Sequence, residues 1–297
     1  MKQLLARIDA LQRRHAVLGF PYGVIKKFGD DRGGQLAALI TYYGFFSLFP
    51  LLLVAFTILG FFLQDNPKLQ EEIAKTLSER LPLPGIDAGS IRGSGLALGV
   101  GVVLALWAGL GATQVAQDAM NTIWNVQRAE QPNFLWKRLR GLLTLLVIAL
   151  GIVASTAVGA VVGWLGPAAQ VGGYVGAVLV TTIVVTGLMM ILVTEKVGWR
   201  DLWPGALLVA IGWTILQAIG AWYTRGLVER ADKTYGTFAI VIGLLSWIFL
   251  QSQVFIYGAE LAVVKAHRLW PRSIDKDDPT DADERLIELI RARESNR

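Results

Sequence analysis

The chain is 297 residues long, 54% hydrophobic and 17% charged, with mean hydropathy +0.49, net charge +5 and a pI near 9.5. Soluble domains carry about 25% charged residues, so this composition excludes an ordinary water-soluble globule and points to an integral membrane protein. There is no cysteine, which excludes a disulfide framework and thiolate chemistry.

A helix needs roughly 20 apolar residues to cross the hydrocarbon core. Six windows meet that length, at about 36–63, 95–117, 141–165, 171–194, 203–223 and 237–263. They predict an all-α integral membrane protein with six transmembrane helices plus short amphipathic interfacial helices. The chain then divides into a cytoplasmic amphipathic N-terminal segment (1–34), a six-helix transmembrane domain (35–265) and a charged cytoplasmic tail (266–297). The first 35 residues hold seven Lys/Arg and no apolar run like that of a signal peptide, so the first span is expected to be retained.

In the N-terminal segment Leu4, Ile8, Leu11 and Leu18 fall roughly on one face, with Lys2, Arg7, Arg13 and Arg14 around the rest, which suits an interfacial helix. Asp30 and Asp31 read as a solvated or capping pair. The first span, "ALITYYGFFSLFPLLLVAFTILGFFL", has no charge yet crowds Thr41, Tyr42, Tyr43, Ser47 and Pro50 into its first half. Pro50 leaves the Phe46 carbonyl without its helical donor and predicts a kink, tolerated in a membrane where protein or water satisfies the backbone. In the loop that follows, Asn66 and Pro67 start a helix. Leu69, Ile73, Leu77 and Leu81 recur along it until Pro82 and Pro84 stop it.

The second span ends in "GATQVAQDAMNTIWNV", where Gln114, Asp118, Asn121 and Asn125 lie at spacings that share one helical face. In the third span Gly151, Ser155, Gly159 and Gly163 recur every four residues and form a small-residue stripe for close helix packing, and Gly95 with Gly99 repeat the pattern in the second. Such a stripe serves packing within the chain or a homo-oligomer, and the pattern does not choose. The sixth span sets Ser246, Gln253, Tyr257 and Glu260 on one face. At about 1.5 Å per residue, Glu260 lies roughly 7 Å in from Lys265, and Gln253 roughly 18 Å. The tail from Pro271 is a balanced charge mixture that reads as solvated or weakly docked, with Thr280 and Asp283 placed to cap a short helix bearing Leu286, Leu289 and Ile290.

Orientation follows from the Lys/Arg count, because positive loops stay cytoplasmic. With an inside N-terminus the inner segments carry 21 Lys/Arg and the outer ones 7, which puts both termini in the cytoplasm. The basic charge is then explained by topology and by anionic lipid at the inner surface, not by nucleic acid. The polar groups of spans one, two and six fall at similar inner-leaflet depths. They predict a cytoplasm-facing cavity lined by Thr41, Tyr42, Tyr43, Ser47, Pro50, Gln114, Asp118, Asn121, Gln253, Tyr257 and Glu260. The alternative is a hydrogen-bonded cluster that joins helices and holds no ligand. Asp118, near its helix end, has Lys137, Arg138 and Arg140 as candidate partners.

The blocks "DDRGGQLAALITYYGFFSLFPLLL" (30–53), "MNTIW" (120–124), "WPGALL" (203–208) and "YGTFAIVIGLLSWIFLQSQVFIYGAEL" (235–261) resemble the YihY/BrkB family of bacterial inner-membrane proteins. The likeness spans nearly the whole chain, and the order and spacing of the blocks make it specific. One departure is Ala262, where the family often has Asn directly after GAEL. The resemblance implies six spans with cytoplasmic ends in the bacterial inner membrane. It brings proposals of lipid or lipopolysaccharide-precursor transport and an old ribonuclease BN label.

The ribonuclease label conflicts with the residues. Metal-assisted hydrolysis needs a cluster of His, Asp or Glu ligands, and the chain's two histidines, His15 and His267, stand in no ligand-spaced motif. No phosphate-binding G-x-x-x-x-G-K-[ST] loop occurs, and "GLGAT" (109–113) lacks the third glycine and strand context of a dinucleotide fingerprint. The chain reads as a non-enzyme without cofactors. Its expected activity is transport or flipping of a lipid-like amphipathic substrate, its partners membrane lipids, anionic or lipopolysaccharide-precursor-like. Lys26, Lys27, Arg32, Lys137, Arg138 and Arg140 are the bases expected to attract a headgroup at the inner rim. The alternative function is a structural or interaction protein without transport activity. A channel is disfavoured, because no repeated ring of charges marks a pore.

Overall fold

The computed structural model describes residues 9–62, 95–165, 170–231, 236–275 and 278–294. Its long elements are helices: α1 (Ala16–Asp30), α2 (Gly33–Phe62), α3 (Gly95–Ile123), α4 (Phe134–Leu165), α5 (Gln170–Leu192), α6 (Trp199–Ala231), α7 (Gly236–Ala266) and α8 (Asp281–Glu294). Residues 9–14 form a further helical stretch before α1, and no strand occurs among the described residues. Six helices, α2 to α7, are long and apolar enough to cross a membrane. No more than 33% of any apolar window is buried within the chain, which leaves most of that surface for lipid.

Each predicted span thus corresponds to a helix, and several helices overrun their apolar windows. Hydropathy marks only the part of a helix in oil, whereas backbone pairing carries the helix on through polar residues. α4 starts at Phe134, ahead of Lys137, Arg138 and Arg140, because the Asn133 side chain accepts the Trp136 N–H at 3.1 Å as an N-cap. α2 continues as helix through Pro50. The amphipathic helix expected around Leu69–Leu81 lies outside the described residues.

The chain forms two compact units, one of residues 1–39, 113–220 and 250–297, the other of 40–112 and 221–249. The core of the first holds Met120, Ile123, Met189, Leu202 and Ile256. There α6 and α7 touch backbone to backbone. A Cβ on Gly205 would stand 2.1 Å from the Gly258 carbonyl oxygen, and one on Gly258 would stand 2.3 Å from Val209 Cγ2. One helical turn or two further on, Gly212 faces Val254 and Trp213 donates its indole N–H to the Gln251 carbonyl at 3.1 Å.

The small-residue stripe of α4 is therefore only part of the packing. Gly151 does face α5, where a Cβ would come within 2.8 Å of Val184, but Ser155 is exposed. Gly159 and Gly163 lie outside the described side chains. Gly95 and Gly99 correct the expectation: nothing lies within 4 Å of a Cβ at either, so they serve no close contact among the described residues. In the second unit Gly101 does so instead, against Leu53 and Val54, and Gly111 packs on the Tyr43 ring.

The N-terminal segment breaks at His15, which lies between the 9–14 stretch and α1. Leu11 and Leu18 are open, while Asp9 and Gln12 turn inward onto residues 272–274. Of the two states expected for the tail, solvated or weakly docked, it takes the docked one, with Arg272, Ser273, Asp283 and Leu286 buried. α8 begins with the predicted capping box, the Thr280 N–H donating to Asp283 Oδ2 at 3.1 Å and the Asp283 N–H donating to Thr280 Oγ1 at 3.4 Å.

Candidate functional site

The last turn of α1 carries Lys27, whose side chain is wholly buried. Its ammonium meets groups from two other helices and a joint. One comes from α3, whose C-terminus closes as a Schellman motif. The Val126 N–H donates to the Asn121 carbonyl at 2.9 Å and the Asn125 N–H to the Thr122 carbonyl at 3.1 Å, with Asn125 left-handed at φ 52. The Ile123 carbonyl has no helical donor there and accepts Lys27 Nζ at 3.0 Å.

Asp31, in the joint between α1 and α2, accepts from the same ammonium through Oδ2. Glu260 of α7 completes the cluster, Oε2 lying 3.4 Å from Lys27 Nζ. Lys27 and Glu260 are 0% exposed and the Asp31 side chain 8%, so bulk water reaches none of them freely. Glu260 and Asp31 meet at the same ammonium, Asp31 Oδ2 and Glu260 Oε2 both lying against Lys27 Nζ. Burial pushes the Asp31 carboxyl above its ordinary value, and the Lys27 charge and hydrogen bond oppose that shift without cancelling it. One turn before Glu260, the Tyr257 ring stacks on Phe28 at 4.0 Å, which ties α7 to α1 a second time.

A second ion cluster surrounds Asp283. Its oxygens accept Arg272 Nε at 2.6 Å, the Ser273 N–H at 2.8 Å, Lys26 Nζ at 3.0 Å and the Thr280 N–H at 3.1 Å. Burial opposes ionisation, but these donors outweigh it and hold the carboxyl well below the usual carboxylate range. Asp30 pairs with Arg272 at 2.8 Å. Neither member of the Asp30–Asp31 pair is thus simply solvated; each found a cation that sequence spacing alone did not assign.

The other predicted residues separate. Asp118 is 61% exposed at its side chain and pairs with Lys137 at 3.1 Å, one of its expected partners. Asn121 is buried and accepts the Thr194 N–H at 2.9 Å, while Asn125 has left the stripe because α3 ends before it. Gln114 and Gln253 are half-buried. Gln117, which the sequence reading passed over, is buried and donates to the Lys137 carbonyl. In the second unit Thr41 and Ser47 are buried, Ser47 Oγ donating to the Gly44 carbonyl at 2.7 Å. Tyr42 and Tyr43 are open and meet edge to face at 5.4 Å, beside Phe46 and Phe49. The bases expected at the inner rim are engaged within the protein at five of the six positions. Lys26, Lys27, Lys137 and Arg140 all have protein partners, and Arg138 lies over the Phe134 ring. The i,i+4 spacing of Lys27 and Asp31 was the available clue; nothing in the sequence tied that pair to Glu260. Among the described residues no group of three or more His, Asp or Glu could hold a metal ion.

Six helices long and apolar enough to cross a membrane define a multi-pass α-helical membrane protein. The profile of the family described as Virulence factor BrkB matches residues 24–283, and the chain belongs to that family. The protein is similar to Inner membrane protein YhjD of Escherichia coli, at 21% identity over 90% of this chain and 87% of the relative. A ribonuclease-like protein of Bacillus subtilis, YfkH, is 26% identical over 82% of this chain and 94% of its own. A UPF0761 membrane protein of Stenotrophomonas maltophilia is 28% identical over 86% of this chain and 62% of its own. No solved structure matches.

Proposed function

We propose that this inner-membrane protein moves a lipid-like amphipathic substrate, with the enclosed Lys27–Asp31–Glu260 cluster locking the resting state. The observation that carries the reading is the enclosure of Lys27 and Glu260, both 0% exposed, at one end of a membrane-spanning helix. Ionisable groups are expensive in a bilayer and are retained where charge or an ion is handled, and a buried ion pair is weak support for stability by itself. In the first unit the polar positions of the proposed path are Gln114, Asp118 and Gln253. In the second, the open Tyr42 and Tyr43 suit the boundary between headgroup and acyl chain. The Lys/Arg bias places the cluster on the cytoplasmic side.

The second reading, a scaffold without transport, is favoured by the use of Asn121 and Glu260 as contacts between helices. The ribonuclease-like name of one relative finds no metal-ligand cluster among the described residues and is not carried over. Reconstitution into liposomes holding fluorescent lipid in one leaflet separates the readings. Transport predicts faster movement between leaflets with protein than without it, and a slower rate for Glu260→Gln at unchanged thermal stability. Equal rates with and without protein, for zwitterionic and anionic headgroups alike, would leave the scaffold.

A further inference from the structure

The charges of the sealed cluster do not balance. Lys27 brings one positive charge, while Asp31 and Glu260 bring two carboxylates. Among the described residues Lys27 is the one cation acting on both carboxylates, and Asp30, which also acts on Asp31, is negative and taken up by Arg272. From α3 the ammonium receives a helix C-terminal carbonyl, the negative end of that helix's dipole. Beyond α7, burial pushes the His267 imidazole below its ordinary value, so it adds no compensating charge near Lys27. Fully ionised, the group would hold a net negative charge away from water, which is costly without a partner.

Two observations on geometry indicate how the imbalance is resolved. Asp31 Oδ2 and Glu260 Oε2 both lie against the one Lys27 ammonium inside the enclosure, and two carboxylates gathered on a single cation can bond to each other only with a proton between them. Both oxygens of Glu260 are buried and lack a hydrogen-bond donor among the described residues. A carboxyl with unsatisfied, enclosed oxygens beside a second carboxyl is the arrangement that takes up a proton and keeps it.

We infer that Asp31 and Glu260 share one bound proton over the Lys27 ammonium, so that the cluster is neutral overall and forms a proton-binding site. The ligand is the proton itself, and it belongs to the pair rather than to either residue. This inference stands on the cluster's geometry and does not rest on the transport reading.

Infrared spectroscopy of the full chain in detergent, with and without carbon-13 at the aspartate and glutamate carboxyls, tests it. At neutral pH the wild type is expected to show a protonated-carboxyl absorption that shifts on labelling. That absorption is expected to be lost in Asp31→Asn and also in Glu260→Gln, since either amide leaves one carboxylate to one ammonium, and to persist in Asp283→Asn. Thermal unfolding of each variant reports whether it is folded, and the labelled wild type gives an answer even if one variant is not. Absence of a protonated carboxyl in the wild type, or its survival in a folded variant of either residue, overturns the inference.

Discussion

Two carboxylates that face the same helix, α1, meet opposite fates. Asp283, facing α1 through Lys26, is given four N–H donors and held ionised. Glu260, facing α1 through Lys27, is given one ammonium at 3.4 Å and no hydrogen-bond donor. The difference lies in what surrounds each one. Residues 271–275 and 278–280 are irregular backbone, which offers free N–H groups, whereas α7 and α3 have committed theirs to helical bonds. A carboxylate among loop amides becomes a fixed structural anchor, and a carboxylate among helices is left to settle its charge with other side chains.

The largest effect should come from removing the shared cation. Lys27→Met leaves two enclosed carboxylates without a counter-ion and should destabilise the fold by about 3 to 5 kcal/mol, read as a fall in detergent unfolding temperature. Lys26→Met, at the half-open Asp283 cluster, should cost much less. If the two variants behave alike, the distinction between the clusters is wrong.

Next in size is Gly205→Ala. Its Cβ would stand 2.1 Å from the Gly258 oxygen and must push α6 off α7 two residues before Glu260. Overpacking of this kind typically costs about 1–3 kcal/mol. Here it should also loosen the Lys27 cluster, seen as faster amide exchange at the end of α1, and leave the Asp283 cluster unchanged.

Asp283→Asn is smaller and carries a pH signature. Because the folded carboxyl is held below its ordinary value, its stabilisation is present above the unfolded value of about 3.9 and is lost as pH falls through the lower folded value. The gap in unfolding temperature between wild type and Asp283→Asn should therefore be constant near neutrality and close on acidification below about pH 4. A gap that persists in acid would mean that shape and not charge holds the segment.

The smallest change in stability is expected for Glu260→Gln at neutral pH, since an amide resembles a protonated carboxyl in shape and charge. A loss as large as that of Lys27→Met would show Glu260 to be a plain ion-pair partner.

How much of this the residues disclosed depends on distance along the chain. The six spans and the Thr280–Asp283 capping box were legible because each is a pattern within one window: apolar length in one case, a three-residue spacing in the other. Glu260 stood out for the same reason, as a carboxylate in an apolar run. Its partners did not, because Lys27 lies more than two hundred residues away in a segment whose own composition suits a membrane surface equally well. The close contact of α6 and α7 was missed because Gly205 and Gly258 sit singly in their helices and form no repeat, while Gly95 and Gly99, which do repeat, touch nothing described. Small residues in series announce a smooth surface; whether another helix lies against it is decided elsewhere in the chain.

The contacts between the chain's two end segments also fix the parity of its membrane crossings. Gln12 donates to the Arg272 carbonyl at 2.6 Å and Arg13 pairs with Asp278 at 2.9 Å, so residues 12 and 13 share one aqueous compartment with Arg272 and Asp278. Any threading of the chain through the bilayer must then be even in number, whichever side that compartment is. Insertion in the reverse sense would carry both ends across together, which makes the sidedness of this protein a single binary choice.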